Sequence, residues 1–251
     1  MITLEKLSKA FGSQKVVDDA SSQFEKGKVT AIIGPNGAGK STLLSMASRL
    51  LPPDAGNVII DGKSIVDWNT GELAKHLAVL RQANSITMRF TVREMVSFGR
   101  FPYSKGNLTD EDNSMIDKAL AYLDLASLQD RYLDQLSGGQ RQLAFIAMVI
   151  AQDTDYVFLD EPLNNLDIKH SLSIMRTIQK LAHDMGKAVV IVIHDINFAA
   201  CYADHIIAMK KGKIAANAGV NDVIQEAVLS EIYDTPFSIV EANGKRMCLY
   251  Y

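Results

Sequence analysis

The sequence predicts an α/β fold built on a mostly parallel sheet with helices over both faces. Three observations predict it. Short apolar runs, KVTAIIG, YVFLDEP and AVVIVIHD, alternate with helical patterns, as in a parallel sheet covered on both sides. The glycine-rich GPNGAGKST (34–42) stands where one run ends and a helical pattern begins. Asp160 and Glu161 close another run at the carboxyl end of its strand, where open α/β sheets hold ligands.

Each element follows from local chemistry. Residues 2–33 read as short strands and turns ending in KVTAIIG. STLLSMASRLL has helical spacing and is expected to run up to Pro52-Pro53, which no helix can continue through. NVIIDGKSI reads as a hairpin around Asp61-Gly62, a pair suited to positive φ. From about 91 to 155 the pattern is helical, in TVREMVSFG, DEDNSMIDKALAYLDLA and GGQRQLAFIAMVIAQ. The strands YVFLDEP and AVVIVIHD are separated by the helical IKHSLSIMRTIQKLAHDMG. DVIQEAVLSEIYD reads as a helix, and FSIVEANGKRMCLYY as a terminal hairpin around Asn243-Gly244.

Bulk properties narrow the function classes. The chain has 251 residues, 47% hydrophobic and 22% charged, enough for one large domain with an inserted lobe. A net charge of −3 gives no basic footprint for nucleic acid or an anionic membrane surface. The longest apolar runs, AVVIVI and AFIAMVIA, fall far short of the ~20 residues that span a bilayer. MITLEKLSKAF has no signal-peptide pattern. A membrane role therefore requires a partner. Cys201 and Cys248 form no CxxC pair, so a reduced cytosolic protein is expected.

GPNGAGKS fits the phosphate-loop pattern G-x-x-x-x-G-K-[ST] between a strand and a helix. Gly34, Gly37 and Gly39 let the backbone curl around Pro35, Asn36 and Ala38, so that amides point inward at phosphate oxygens. Lys40 reaches the β- and γ-phosphates. Ser41 can ligate Mg²⁺, and the helix tip at Ser41 and Thr42 adds partial positive charge. Given that loop, Asp160 is expected to hold Mg²⁺ through its water shell and Glu161 to polarise the attacking water. The loop alone does not name the nucleotide; the absence of an NKxD-type guanine reader favours ATP.

A second glycine stretch, LSGGQ at 136–140, precedes an apolar-periodic helix. Ser137 is a plausible N-cap, and Gly138 and Gly139 expose backbone amides beside Gln140. On physics alone it is either an anion-binding tip or a plainly capped helix. Taken in order, GPNGAGKST, LSGGQ, VFLDEP, NNLD and IHD resemble the ABC-type ATPases over nearly the whole chain.

That resemblance implies a P-loop NTPase with a RecA-like core, an antiparallel β subdomain and an inserted helical subdomain. Residues 1–83 and 156–251 would form the core with its β subdomain, and 84–155 the helical signature subdomain. It implies a homodimer packed head to tail, with ATP and Mg²⁺ between the phosphate loop of one copy and Ser137, Gly138, Gly139 and Gln140 of the other. Phe11 lies where the family stacks an aromatic on adenine; packing in the core is the equal alternative. Gln82 matches the glutamine that senses Mg²⁺ and the γ-phosphate. Asp167 matches the loop that crosses the dimer interface, although Asn164 and Asn165 depart from the family's usual residues. His194 matches the histidine that contacts the γ-phosphate.

Further likeness, including Gly99, Arg100 and Pro102 of a GR-x-P element, is to importer ATPases for iron–siderophores, haem and cobalamin. It implies two integral membrane permease subunits, an extracytoplasmic substrate-binding protein, no nucleic acid, and a peripheral place on the cytoplasmic face of the membrane. Iron(III)–siderophore is the expected cargo, with haem, cobalamin or a soluble non-transport ABC ATPase as alternatives. Residues 88–103, with Met88, Phe90, Phe101 and Tyr103, are either a docking surface for the permease or ordinary lobe packing.

Overall fold

The computed structural model describes residues 1–81, 88–164 and 166–250. They divide into two compact units, one of Met1–Trp68 with Ile178–Tyr251 and one of Asn69–Thr177. Among the described residues, no helix is long and apolar enough to cross a membrane.

The first unit opens with β1 (Ile2–Phe11), β2 (Gln14–Phe24), β3 (Val29–Ile33), α1 (Lys40–Ala47), β4 (Ala55–Ile60) and β5 (Lys63–Ser64). An antiparallel sheet in the order β2-β1-β4-β5 realises the β subdomain that the family resemblance implies. Asp61 and Gly62, both at positive φ, make the expected β4–β5 turn. The helix after the phosphate loop ends four residues earlier than its apolar spacing predicts. Ser48 turns its hydroxyl back onto the Leu44 carbonyl at 2.9 Å, and Arg49 swings to φ 60°. The Arg49 guanidinium then bonds the carbonyls of Ile65 and Trp68. A tertiary anchor ends the helix before the prolines do.

The second unit carries α2 (Thr70–His76), β6 (Leu77–Leu80), α3 (Val92–Ser97), α4 (Phe101–Ser104), α5 (Asp110–Tyr122), α6 (Gly138–Gln152) and β7 (Tyr156–Asp160). α7 (Ile168–His183) runs across the boundary between the units. β6 and β7 pair in parallel. Thr91 and Thr109 cap α3 and α5 through reciprocal capping boxes with Glu94 and Asp112. Gly99 lies on a 3-10 turn, Phe98–Arg100, where a Cβ would stand 2.1 Å from the Met148 carbonyl of α6. Arg100 and Asp112 form an ion pair at 2.8 Å with side chains only 6% and 4% exposed.

The first unit resumes with β8 (Ala188–Val192), α8 (Ile196–Tyr202), β9 (His205–Lys210), β10 (Lys213–Gly219), α9 (Val220–Val223), α10 (Glu226–Tyr233), β11 (Ser238–Ala242) and β12 (Lys245–Leu249). β3 pairs in parallel with both β8 and β9, and β10 adds antiparallel to β9. Val29 through Ile33 and Ala188 through Val192 are fully buried, as strands covered on both faces require. One helix was expected over 222–234; Gln225, extended at φ −137°, divides it into α9 and α10. The terminal hairpin turns at Asn243 and Gly244 as expected. Asn197 of α8 grips β12 twice, accepting from the Cys248 amide at 2.7 Å and donating to its carbonyl at 3.2 Å.

Candidate nucleotide-binding site

In the first unit, β3 ends at Ile33 and the chain curls through Gly34 (φ 141°), Gly37 (φ 76°) and Gly39 (φ 100°) into α1. Two of these glycines are sterically required. A Cβ on Gly34 would stand 2.2 Å from the Met209 carbonyl, and one on Gly39 2.4 Å from that of Val16. The loop is thus pressed against β9 and β2. Lys40 is 5% exposed and donates to the carbonyls of Gly34 and Pro35 at 2.8 and 3.0 Å. These bonds hold the ammonium within the curl. α1 has no acidic residue in its first turn, so its dipole favours an anion unopposed.

Two further residues of this unit bear on the site. Phe11, at the end of β1, is 53% exposed, with Lys9 Nζ 5.9 Å from the ring centroid. Its place is therefore not the hydrophobic core, and the Lys9 ammonium lies over its ring. His194 follows β8 and is exposed, and Asp195 caps α8 by accepting from the amides of Asn197 and Phe198. Sequence reading missed Tyr233. Its hydroxyl, on α10 beside the Gly34 backbone, is buried and makes no hydrogen bond among the described residues, and burial pushes its pKa up. No spacing pattern marks such a residue.

In the second unit, Asp160 ends β7 and Glu161 turns immediately to φ 51°. That positive φ breaks the strand's alternation, which would otherwise aim the two carboxylates in opposite directions. The Asn164 side-chain amide donates to the Glu161 carboxylate. Asp167 accepts from the His170 backbone amide at 2.8 Å and engages its ring Nδ1 at 2.7 Å. These bonds, the backbone one foremost, hold the Asp167 carboxyl below the usual range.

The second glycine stretch is a capped helix tip. Ser137 Oγ accepts from the Gln140 amide, and Gln140 Oε1 accepts from the Ser137 amide, each at 3.2 Å. Ser137 is thus the expected N-cap of α6. Ser137 and Gly138 are exposed, whereas Gly139 is buried. Gln82 and Asn165 lie outside the described residues.

The 88–103 segment divides by exposure. Met88 is 70% and Phe101 58% exposed. Phe90 packs edge-on against Phe98 at 5.0 Å. Tyr103 covers the Arg100 guanidinium at 4.0 Å and donates its hydroxyl to the Gln152 carbonyl. Phe98, itself exposed, joins the outward-facing aromatics.

Comparison with known proteins decides the family. Residues 17–164 match the ABC transporter family model. The chain belongs to the ABC transporter family. This ABC ATPase is 53% identical over 251 residues to the petrobactin import ATP-binding protein YclP of Bacillus subtilis (strain 168), covering 100% of both chains. It is 38% identical over 254 residues to the iron(3+)-hydroxamate import ATP-binding protein FhuC of the same strain, covering 100% of this chain and 94% of that one. The dimeric structure of a bacterial ABC transporter cassette matches with a TM-score of 0.78 at 30% identity, covering 88% of this chain and 99% of that one. The fold is the ABC ATPase fold, and the nucleotide it binds and hydrolyses is ATP.

Proposed function

We propose that the chain is the ATP-hydrolysing subunit of an importer for an iron(III)–siderophore. One observation carries this reading: end-to-end identity of 53% with a petrobactin import ATP-binding protein. The subunit works peripherally, on the cytoplasmic face of the membrane. Two copies pair with two integral membrane permease subunits, and an extracytoplasmic protein delivers the cargo. Residues 88–103 dock onto the permease through the outward side chains of Met88, Phe98 and Phe101.

Two copies meet head to tail, the arrangement that explains two glycine motifs in one chain. The dimeric structure of a related cassette supports it. Residues 1–83 and 156–251 serve as the nucleotide-binding core, and 84–155 as the signature subdomain. Phe11 stacks on adenine, while the amides of 34–42 and Lys40 hold the phosphates. Glu161 takes a proton from the attacking water, and His194 steadies the γ-phosphate. Ser137, Gly138, Gly139, Gln140 and Asp167 of the second copy close the site.

Among the described residues, no cluster of three or more His, Cys, Asp or Glu is placed to hold a metal. Mg²⁺ is bound largely by phosphate and water with one or two protein oxygens. Ser41, Asp160 and Gln82 are oxygen donors of the right hardness. The ion offsets charge on the phosphates when bound.

Uptake of labelled ferric siderophore by a strain deleted for this gene tests the proposal. The wild-type gene restores uptake and Lys40→Ala does not. Normal uptake in the deletion strain, or rescue by Lys40→Ala, would overturn it.

A further inference from the structure

His170 belongs to neither glycine motif, yet it touches both elements assigned above to the second copy's nucleotide. Its ring occupies the space that a side chain at position 139 would need. A Cβ there would stand 2.4 Å from His170 Cγ, 2.5 Å from Cδ2 and 2.9 Å from Nδ1. The glycine is therefore required by an imidazole lying against the first turn of α6, in addition to any need for a bare amide facing phosphate. The same ring binds Asp167 through Nδ1 at 2.7 Å, while its backbone amide binds the same carboxylate oxygen at 2.8 Å. The side chain is only 29% exposed.

We propose that His170 is a positioning residue whose imidazole latches the α6 tip at Gly139 to the Asp167 loop. The two elements then approach the other copy's nucleotide as one preorganised surface. Without the ring, the helix tip loses the group packed against its first turn and Asp167 loses one of its two bonds to residue 170. Each must then be ordered separately when the copies close, which weakens closure. Nucleotide capture by a single copy depends on the phosphate loop in the other compact unit, so it stays unchanged.

This inference rests on the composite-site reading, and the experiment separates the two. In the Glu161→Gln background, the full chain is measured by sedimentation with saturating ATP and magnesium. His170→Ala, His170→Phe and His170→Asn are compared with the parent, alongside binding of a fluorescent ATP analogue to the single chain. The parent dimerises, whereas His170→Ala dimerises about tenfold more weakly with unchanged analogue affinity. His170→Phe, which keeps a ring on Gly139, and His170→Asn, which keeps a donor for Asp167, each recover part of the loss. A parent that stays monomeric, alone and with its membrane partners, overturns the composite site and the latch with it. Equal dimerisation by parent and His170→Ala overturns the latch alone. So does an equal loss of analogue affinity and dimerisation, which marks a general structural defect.

Discussion

Replacing Arg100 by Met removes one half of the buried ion pair that joins the Phe98–Arg100 turn to α5. Both charges are almost wholly out of water, with side chains 6% and 4% exposed. Leaving a buried charge without its partner costs about 3–5 kcal/mol. The Asp112 carboxylate keeps its bonds from the Thr109 amide and hydroxyl, at 3.0 and 2.8 Å, which places the cost near the lower end. The Ala151 carbonyl also loses its 2.9 Å bond from Arg100, adding about 1 kcal/mol. The expected loss is therefore about 4 kcal/mol in urea denaturation of the full chain, followed by far-UV circular dichroism. The double variant Arg100→Met/Asp112→Leu removes the stranded charge and forfeits a helix cap and the same Ala151 bond, about 1 kcal/mol each. A single-variant loss below about 1 kcal/mol, or a double variant no more stable than the single, would refute the reasoning.

Asp112 also predicts a pH response. The Thr109 backbone bond, aided by Arg100 and the Thr109 hydroxyl, holds its folded pKa below the ordinary carboxylate value of about 3.9. Its stabilisation is complete above that value and is lost as pH falls through the depressed folded one. Arg100→Met should move this acid loss to higher pH, visible in melting temperature against pH. At the phosphate loop, Gly34→Ala meets the Met209 carbonyl at 2.2 Å. It should cost about 3 kcal/mol and abolish binding of a fluorescent ATP analogue; a variant that folds and binds normally refutes the contact. His194→Ala, at an exposed site, should change stability by less than about 0.5 kcal/mol while turnover falls by about a hundredfold or more. Unaltered turnover excludes the role. Phe101→Glu, at a side chain 58% exposed, should leave the melting temperature in place but abolish siderophore uptake and co-purification of the permease. Full coupling would exclude docking there.

How much was legible depends on the range of the forces involved. The phosphate loop, the Ser137 cap and the hairpins at Asp61-Gly62 and Asn243-Gly244 are local solutions to backbone sterics and helix-end hydrogen bonding. Their residues carry the signal within a few positions. The end of α1 was not legible, because Arg49 is drawn away by the carbonyls of Ile65 and Trp68, more than a dozen residues downstream. β6 spans only Leu77–Leu80, too short for any periodicity to register. The His170–Gly139 contact joins residues 31 positions apart, and Tyr233 approaches Gly34 from nearly the other end of the chain. A single sequence carries no spacing rule for such meetings. Their discovery requires the fold.

The grip of Asn197 on both polar groups of Cys248 has a consequence for genetics. The segment bearing His194 leads directly into α8, and α8 is pinned to a ribbon made some fifty residues later. Lesions in that ribbon, at Met247 for instance, should surface in a screen as hydrolysis-defective alleles although no reacting atom is lost. Mapped by position alone, they would be mistaken for damage to a tail of no importance.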